Sequence, residues 1–428
     1  MIVGHSEYVA ADSLWLDTIP AHWRMGRLDH VARAWPSNVD KHSVAGEPPV
    51  RLCNYTDVYK NASIVQGMVF MAATAPPEQI ERFRIAVGDT LLTKDSETAD
   101  DIGVPAYVEY EAEDLICGYH LSIVRPIPGA VEPKFLYWAL SAGPTTGQWT
   151  VLASGVTRVG IRAGDLAKPA LALPPMDEQR AIAEYLDREI ARIDTLIEEQ
   201  QRLIEMFRER RQAVIDASFS TLGEPSVQLR RYIKFLTSGS RGWGDYYADQ
   251  GERFLRIGNL PRANLQIRGD IQLVDLPAAV TEGSRTMLRE GDLLFSITAY
   301  LGSVAVIDGD WVGAYVSQHV ALCRLERDRV DPRFIGWFML TTTGQDQLNE
   351  GAAGGTKMQL ALDDIRGLRV PTAPIEQQRR IASHLDRQTA KIDALVAETE
   401  RFIELARERR AALITAAVTG QIDVREMV

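Results

Sequence analysis

In this 428-residue chain, the spacing of two histidines is a pattern that could indicate acid–base catalysis. His120 and His319 lie 199 residues apart, inside stretches that share other residues at the same spacing. Histidine can act as a general acid or base, but catalysis also needs a carboxylate or nucleophile held at a fixed place beside it. No such residue shares the repeated spacing. We therefore interpret both histidines as parts of the framework.

Other patterns that accompany catalysis are missing from the sequence. It contains no GxxxxGK[ST] or GxGxxG nucleotide loop, no HExxH and no GxSxG. Leu173-Pro174-Pro175-Met176 lacks both the polar residue and the aromatic residue of the (Asp/Asn)-Pro-Pro-(Tyr/Phe) motif of amino-methyltransferases, and prolines at a helix start explain it better. Cys53, Cys117 and Cys323 have no CxxC spacing. We expect no catalytic residue and no metal site.

The strongest feature is an internal repeat. The segment 175–180, Pro-Met-Asp-Glu-Gln-Arg, returns as Pro-Ile-Glu-Gln-Gln-Arg at 374–379, and the match continues at a constant offset of 199 residues. It includes Leu-Asp-Arg, Ile-Asp and, near the end, Arg-Glu-Arg-Arg at 208–211 and 407–410. The repeat predicts two units with one plan.

Each repeat contains one predicted long helix. Glycine and proline are absent from 176–222 and from 375–419, and strong helix formers dominate both stretches. Apolar residues spaced by threes and fours form a narrow stripe, which predicts that the two helices pair along a seam. The predicted seam residues are Ile182, Leu186, Ile193, Ile197, Ile204, Phe207, Ile381, Leu385, Ile392, Val396, Ile403 and Leu413. A run of about 42 residues would be roughly 60 Å long.

Globular segments precede both helices. Strand-like runs at 63–70, 90–93, 106–110 and 120–124 and a helix at 133–142 belong to the first. Gly88-Asp89 of this segment corresponds to Gly291-Asp292 of the second. The fold class is therefore α+β (mixed α/β), a tandem repeat with pseudo-twofold symmetry. Its predicted parts are a first domain with an N-terminal arm (1–173), a first helix (174–222), a second domain (223–372), and a second helix with a C-terminal tail (373–428).

Composition narrows the classes of partner. The chain is 46% hydrophobic and 25% charged, with a net charge of −11. No apolar run approaches the ~18 residues that a membrane span needs, so we expect a cytoplasmic protein with no membrane partner. Residues 1–175 carry 14 basic and 20 acidic side chains, whereas residues 225–373 carry 17 of each. Any surface for nucleic acid must therefore be a local basic patch.

Together these motifs carry a resemblance. The repeated Pro-x-x-x-Gln, Leu-Asp-Arg, Ile-Asp and Arg-Glu-Arg-Arg elements, with the Trp-x-x-x-Ile-Pro-x-x-Trp arm at 15–23 and the tail at 416–422, resemble the specificity (S) subunit of type I restriction–modification systems. The resemblance implies two target-recognition domains held apart by an antiparallel pair of helices, each reading one half of a split site in double-stranded DNA. It also implies partners: two modification (methyltransferase) subunits and restriction subunits. S-adenosylmethionine, ATP and Mg would belong to those partners and not to this non-catalytic chain.

Residues that could contact DNA follow from the chemistry of base edges, because arginine or lysine suits guanine, asparagine or glutamine suits adenine, and hydroxyls suit either. The candidates are Lys94, Ser96, Thr98, Thr157 and Arg158 in the first domain, and Arg241, Trp243, Ser296, Thr298, Tyr300, Thr356 and Lys357 in the second. The equivalent pairs Thr157-Arg158 and Thr356-Lys357 are predicted to contact phosphates. The divergent loops 94–98 and 296–300 are predicted to read bases.

Three hypotheses about surfaces and function stay open. The outward helix faces, including 208–211 and 407–410, are predicted to dock the modification subunits. A first rival hypothesis is a coiled-coil scaffold that binds proteins and no DNA, which the acidic charge favours. A second rival, a methyltransferase fused to a specificity subunit, is disfavoured because the catalytic motifs are missing.

Overall fold

The computed structural model describes residues 4–277, 280, 283–351 and 359–425. The chain forms two compact units: one runs up to Glu199 and resumes at Phe402, and the other is Gln200–Arg401. Each unit contains a mixed α/β domain and parts of two long helices. Within the described ranges, no helix combines the length and the apolar character that crossing a membrane requires.

The first domain is built from fourteen described strands and five shorter helices. The strands are β1 (Tyr8–Ala10), β2 (Thr18–Pro20), β3 (Arg24–Arg27), β4 (Ala32–Pro36), β5 (Pro49–Cys53), β6 (Ser63–Ile64), β7 (Met71–Thr74), β8 (Thr90–Thr93), β9 (Asp95–Ser96), β10 (Pro105–Val108), β11 (Leu115–Cys117), β12 (Leu121–Pro126), β13 (Val159–Gly160) and β14 (Ala170–Leu173). The helices are α1 (Leu28–Val31), α2 (Tyr55–Tyr59), α3 (Pro77–Phe83), α4 (Pro133–Ser141) and α5 (Gly143–Leu152), and the first long helix, α6 (Met176–Phe219), follows.

The second domain has ten described strands. They are β15 (Val227–Gln228), β16 (Ile233–Ser238), β17 (Tyr247–Ala248), β18 (Glu252–Leu255), β19 (Gln272–Val274), β20 (Leu293–Ser296), β21 (Val304–Val306), β22 (Tyr315–Val316), β23 (Val320–Leu325) and β24 (Arg369–Val370). Its helices are α7 (Gly283–Thr286), α8 (Pro332–Met339), α9 (Thr342–Gly351) and α10 (Leu362–Gly367), and the second long helix, α11 (Ile375–Val418), follows.

Both domains share a central antiparallel sheet. Its strand order is β4-β12-β8-β10 in the first domain, where β6 adds a parallel edge, and β16-β23-β20-β21 in the second. The strand just before each long helix also pairs with a strand near the start of its domain, β14 with β3 and β24 with β15. The predicted strand at 63–70 is confined to β6, because Gly67 turns the chain with a φ of 93°.

A buried ion pair explains the repeated Gly-Asp. Asp89 receives two hydrogen bonds from Arg125, at 2.7 and 2.6 Å, and Asp292 receives two from Arg324, at 2.8 and 2.6 Å. Each carboxylate precedes a central strand and is 1% exposed. The preceding glycine has a positive φ in both domains, 94° at Gly88 and 78° at Gly291, which favours glycine. The repeat thus fixes one turn in each domain.

Glutamine and aspartate of the repeated motifs attach each long helix to its own domain. The Gln179 side chain accepts from Glu132 N and donates to Pro174 O, and Gln378 makes the matching bonds with Asp331 N and Ala373 O. Further along each long helix, Asp187 accepts a hydrogen bond from the indole N–H of Trp138 at 2.8 Å, and Asp386 accepts one from the indole N–H of Trp337 at 2.8 Å. The buried glutamine amides and indole N–H groups are thereby satisfied, and these hydrogen bonds fix the direction of each helix.

Within each unit the two long helices run antiparallel and share an ion pair. Arg410 Nε donates to Asp194 Oδ1 at 2.9 Å in the first unit, and Arg211 Nε donates to Asp393 Oδ1 at 2.8 Å in the second. Arg211 is buried and lies over the Trp337 ring at 5.8 Å. The prediction that the whole Arg-Glu-Arg-Arg run faces outward is therefore wrong for its last arginine, which lies in the seam between the helices.

The apolar stripe packs against the globular domain as well as against the other helix. In the first unit, Ile182 and Leu186 belong to the same core as Trp138 and Ile414, and in the second unit Ile215 joins Leu385 and Phe334. Of the predicted seam residues, the buried ones are Ile182, Leu186, Ile197, Ile204, Leu385, Ile392 and Ile403, and the half-buried ones are Ile193, Phe207, Ile381, Val396 and Leu413.

Candidate nucleic-acid interface

The predicted DNA-contacting residues of the first domain come from two loops that meet beside the central sheet. The first loop follows β8, and its strand β9 pairs with β13, with Ser96 opposite Val159. Ile161 N donates to Lys94 O at 2.8 Å. This pairing brings Lys94, Ser96 and Thr98 close to Thr157 and Arg158, although about 60 residues separate the two loops in the sequence.

An acidic side chain organises this meeting point. Asp95 Oδ2 lies 2.9 Å from His120 Nδ1, and Asp95 Oδ1 forms an ion pair with Arg158 at 2.7 Å. The aspartate side chain is 15% exposed, whereas that of Arg158 is 52% exposed. The carboxylate thus holds one imidazole and one guanidinium, of which the guanidinium is the more exposed. We refer to Asp95, His120 and Arg158 as the charged cluster.

Tyrosines surround the charged cluster. Tyr119 packs edge-on against His120 with ring centroids 4.8 Å apart, and the Lys94 ammonium lies 4.2 Å above the Tyr119 ring. Lys94 also donates to Ser37 O at 2.9 Å, and burial lowers its pKa. Tyr55 and Tyr59 stack on each other at 5.3 Å. Sequence reasoning missed these aromatic rings and assigned His120 only to the framework; the adjacent Tyr119-His120 pair was the available signal.

In the second domain the equivalent position is neutral. Thr298 Oγ1 lies 3.2 Å from His319 Nδ1, and Gln318 Nε2 lies 3.1 Å from His319 Nε2. One backbone hydrogen bond is equivalent in the two domains: Lys94 N donates to His120 O in the first and Ile297 N donates to His319 O in the second, each at 3.0 Å. The histidine therefore occupies one place on a shared frame and faces a hydroxyl instead of a carboxylate. We refer to Thr298, Gln318 and His319 as the neutral cluster.

Tyr300 lies in the same loop as Thr298. Its φ of 59° is the one positive value at a non-glycine residue in the described part of the chain, and such a backbone costs about 1–2 kcal/mol. Buried Ser296 donates to Tyr300 O at 2.6 Å and so stabilises the turn. The Tyr300 ring is 57% exposed, with the Arg262 guanidinium 5.3 Å from its centroid. This loop presents an aromatic face and a cation together.

Several candidates are placed away from the surface. Ser96 is 5% exposed and donates to Asp101 at 3.0 Å, so its hydroxyl, like that of Ser296, is used inside the domain. Trp243 is buried against Phe254 and Tyr315. Thr98, Thr157 and Arg241 are exposed, and Thr356 and Lys357 lie outside the described residues. For these five residues, contact with DNA stays a prediction.

Both clusters present groups that suit recognition of base edges and phosphates. The charged cluster offers guanidinium and imidazole donors held by a carboxylate, and the neutral cluster offers a hydroxyl, a carboxamide and an imidazole. Arginine pairs with guanine, glutamine with adenine, and hydroxyls with either donors or acceptors in the major groove. The arrangement can therefore distinguish bases by hydrogen bonding, and the two domains offer different side chains for doing so.

Comparison with known proteins gives one consistent result. The family model for the type I restriction modification DNA specificity domain matches residues 53–206 and 280–404. A putative type I restriction enzyme MjaX specificity subunit of Methanocaldococcus jannaschii is 22% identical over 374 residues, covering 81% of each chain.

Two solved structures share the fold. A chain from a structural study of complex assembly and conformational transition of the type I R-M system has a TM-score of 0.72 at 18% identity, covering 94% of this chain and 99% of that one. The HsdS subunit from Thermoanaerobacter tengcongensis has a TM-score of 0.54 at 18% identity, covering 94% and 98%. The predicted mixed α/β tandem repeat with two long helices and its resemblance to S subunits are confirmed. With two matched regions that span most of its length, the chain belongs to the type I restriction modification DNA specificity domain family.

Proposed function

We propose that this chain gives a type I restriction–modification complex its DNA sequence specificity, and that each domain reads one half of a split, asymmetric site in double-stranded DNA. The observation that carries the proposal is the pair of clusters, charged in the first domain and neutral in the second, at the same place on the same frame. Two readers with one scaffold and different side chains are what two different half-sites require.

The long helices would set the distance between the half-sites. Each has 44 residues, which corresponds to about 66 Å at 1.5 Å per residue. Hydrogen bonds attach each helix to its domain and ion pairs join the two helices, so the helices would act as a rigid spacer of fixed length. Lengthening both helices by equal insertions would then change the number of unread base pairs.

The helices would also bind the modification subunits. In the first unit Leu196, Phe402 and Leu405 are exposed apolar residues, between 36% and 53% accessible. The residues at the equivalent repeat positions are Leu395, Leu203 and Met206, all in the second unit, where Leu395 and Met206 are also exposed. A patch that occurs once in each unit favours two copies of one partner.

Chemistry would reside on the partners. Methylation of adenine with S-adenosylmethionine, and ATP- and Mg-dependent translocation and cleavage, would be carried out by modification and restriction subunits in the cytoplasm, with this chain non-catalytic. Because this chain has a net charge of −11, those subunits would supply part of the basic surface that contacts the DNA phosphates. The complex would therefore bind DNA more tightly than the isolated chain does.

Sequencing of methylated adenines tests the proposal. Cells that express the chain with the modification subunits encoded beside it should methylate one split, asymmetric motif, and deletion of the chain should abolish that methylation. Exchange of residues 1–170 for those of another family member should change one half of the motif. If methylation is unchanged at every site, the proposal fails. The rival scaffold hypothesis would then be supported by partners that copurify with the chain in the absence of any DNA preference.

A further inference from the structure

Three side chains from distant parts of the first unit converge beside the start of α6. His5 precedes β1, His22 lies in the turn between β2 and β3, and Glu178 is in the first turn of α6. Their nearest nitrogen and oxygen atoms all lie within 4.8 Å of one another. His22 Nε2 lies 2.8 Å from Glu178 Oε2, and His5 Nε2 lies 3.6 Å from Glu178 Oε1.

One polar atom at this point is left without a hydrogen bond. The His5 side chain is 2% exposed, and its Nε2 has no partner within hydrogen-bonding distance among the described residues. Buried polar atoms are nearly always paired, so an unpaired imidazole nitrogen that faces a carboxylate and a second imidazole needs an explanation. A bound cation between the three groups would supply the missing partner.

Residues on the other side of the ring favour this explanation. His5 Nδ1 lies 3.6 Å from Asp423 Oδ2 and 3.5 Å from Arg425 Nη2. Arg425 Nε donates to Asp423 Oδ1 at 2.8 Å and so holds that carboxylate beside the imidazole. A histidine that binds a metal through one nitrogen commonly donates its other N–H to such a carboxylate, and a decrease of about 0.5 Å in the Nδ1–Asp423 separation would form that hydrogen bond in place of the contact with Arg425.

We propose that His5, His22 and Glu178 bind a divalent transition-metal ion of the zinc class. With zinc–nitrogen and zinc–oxygen bonds of about 2.0–2.2 Å, neighbouring ligand atoms in a tetrahedral site lie about 3.4 Å apart. The 3.6 Å separation between His5 Nε2 and Glu178 Oε1 already fits this value. The 2.8 Å separation between His22 Nε2 and Glu178 Oε2 would lengthen by about 0.6 Å to admit the ion. Two imidazole donors favour zinc, cobalt or nickel over magnesium or calcium.

The site would be structural and specific to the first unit. It joins the N-terminal arm to α6, and through Asp423 to the segment after α11; Tyr8 already reaches that segment with a hydrogen bond to Gly420 O at 2.9 Å. The His22 side chain is 40% exposed, which provides an entry route and a fourth position for water. At the repeat position equivalent to Glu178 the second unit has Gln377, which is a poor ligand.

Metal titration of the whole chain tests the proposal. The chain, purified without a histidine tag and stripped with a chelator, is titrated with ZnCl₂ while thermal unfolding is followed. At a free concentration of about 100 times Kd, zinc should raise the unfolding midpoint by about 5–10 °C. Cobalt(II) should give the visible absorption of a tetrahedral site, at one ion per chain.

Matched variants locate the binding. His22→Gln and Glu178→Gln should each lose the metal-induced shift and the cobalt spectrum, judged against their own metal-free state. His42→Gln, at an exposed histidine outside the cluster, should keep both. The proposal is overturned if wild type shows neither a shift nor a cobalt spectrum, or if His22→Gln retains both, because the metal would then bind elsewhere.

Discussion

The charged cluster and the neutral cluster differ in charge, although the same strand connectivity and an equivalent backbone hydrogen bond place them. In the first domain a carboxylate holds His120 and Arg158, whereas in the second Thr298 and Gln318 flank His319. The backbone hydrogen bonds that place the two histidines are equivalent. The hydrogen bonds that position the loop are thus shared by the two domains, whereas the side chains that the loop presents differ. Frame and loop should therefore respond differently to substitution.

The largest effect is expected from the frame. Asp89→Ala and Asp292→Ala each remove a buried carboxylate and leave its arginine without the ion pair, which should cost about 3 kcal/mol of unfolding free energy in the affected domain. Urea denaturation followed by tryptophan fluorescence would measure both. Asp363→Ala, at an aspartate that is 88% exposed, serves as the control and should change stability by less than about 0.5 kcal/mol. Similar stability in all three variants would contradict the shared role of the Gly-Asp turn.

A smaller effect on stability is expected in the helix seam, and it should differ between the units. Arg211→Ala should lower the unfolding free energy by about 2 kcal/mol, because this side chain is 9% exposed and its loss removes the contacts with Trp337 and Asp393. Arg410→Ala should cost about 1 kcal/mol, because its side chain is 29% exposed. The same denaturation experiment compares the two variants, and equal losses of stability would contradict the prediction that the more buried arginine contributes more.

Exchanging the key side chain between clusters should alter specificity by about tenfold, equivalent to about 1.4 kcal/mol, without loss of stability. Asp95→Thr releases His120 and Arg158 in the first domain, and Thr298→Asp gives His319 a carboxylate in the second. In methylated-adenine sequencing, each variant should change the preference in one half of the motif and leave the other half intact. Changes in both halves at once would show that the domains do not read independently.

The smallest effect is expected from a phosphate contact. Arg158→Ala should weaken DNA binding by the complex about three- to fivefold for every sequence and reduce the salt dependence by about one counterion. Lys168→Ala, at a lysine paired with Asp165 in the same domain, is the control. A change in sequence preference would instead assign base reading to Arg158. The same test applies to Lys357→Ala.

Sequence reasoning reached the parts of the fold that repeat. The constant offset of 199 residues revealed both helices, and the Gly-Asp turns recurred at an offset of 203, because matching residues in the same order need no knowledge of tertiary contacts. It did not reveal that Ser96 and Trp243 are buried, since a polar loop and an aromatic turn look the same whether they face solvent or the core. His5, Glu178 and Asp423 lie far apart in the sequence, so their convergence is a product of folding that no local pattern records.

The ion pairs between the long helices have a consequence for symmetry. Asp194 and Asp393 are equivalent in the repeat, as are Arg211 and Arg410, and each aspartate pairs with the arginine of the other helix. This reciprocity is the rule of an isologous interface, in which the same patch serves both partners. A polypeptide that held only one repeat would carry both halves of the contact and would meet its complement in a second copy of itself. The tandem chain thus contains, in covalent form, the interface of a homodimer.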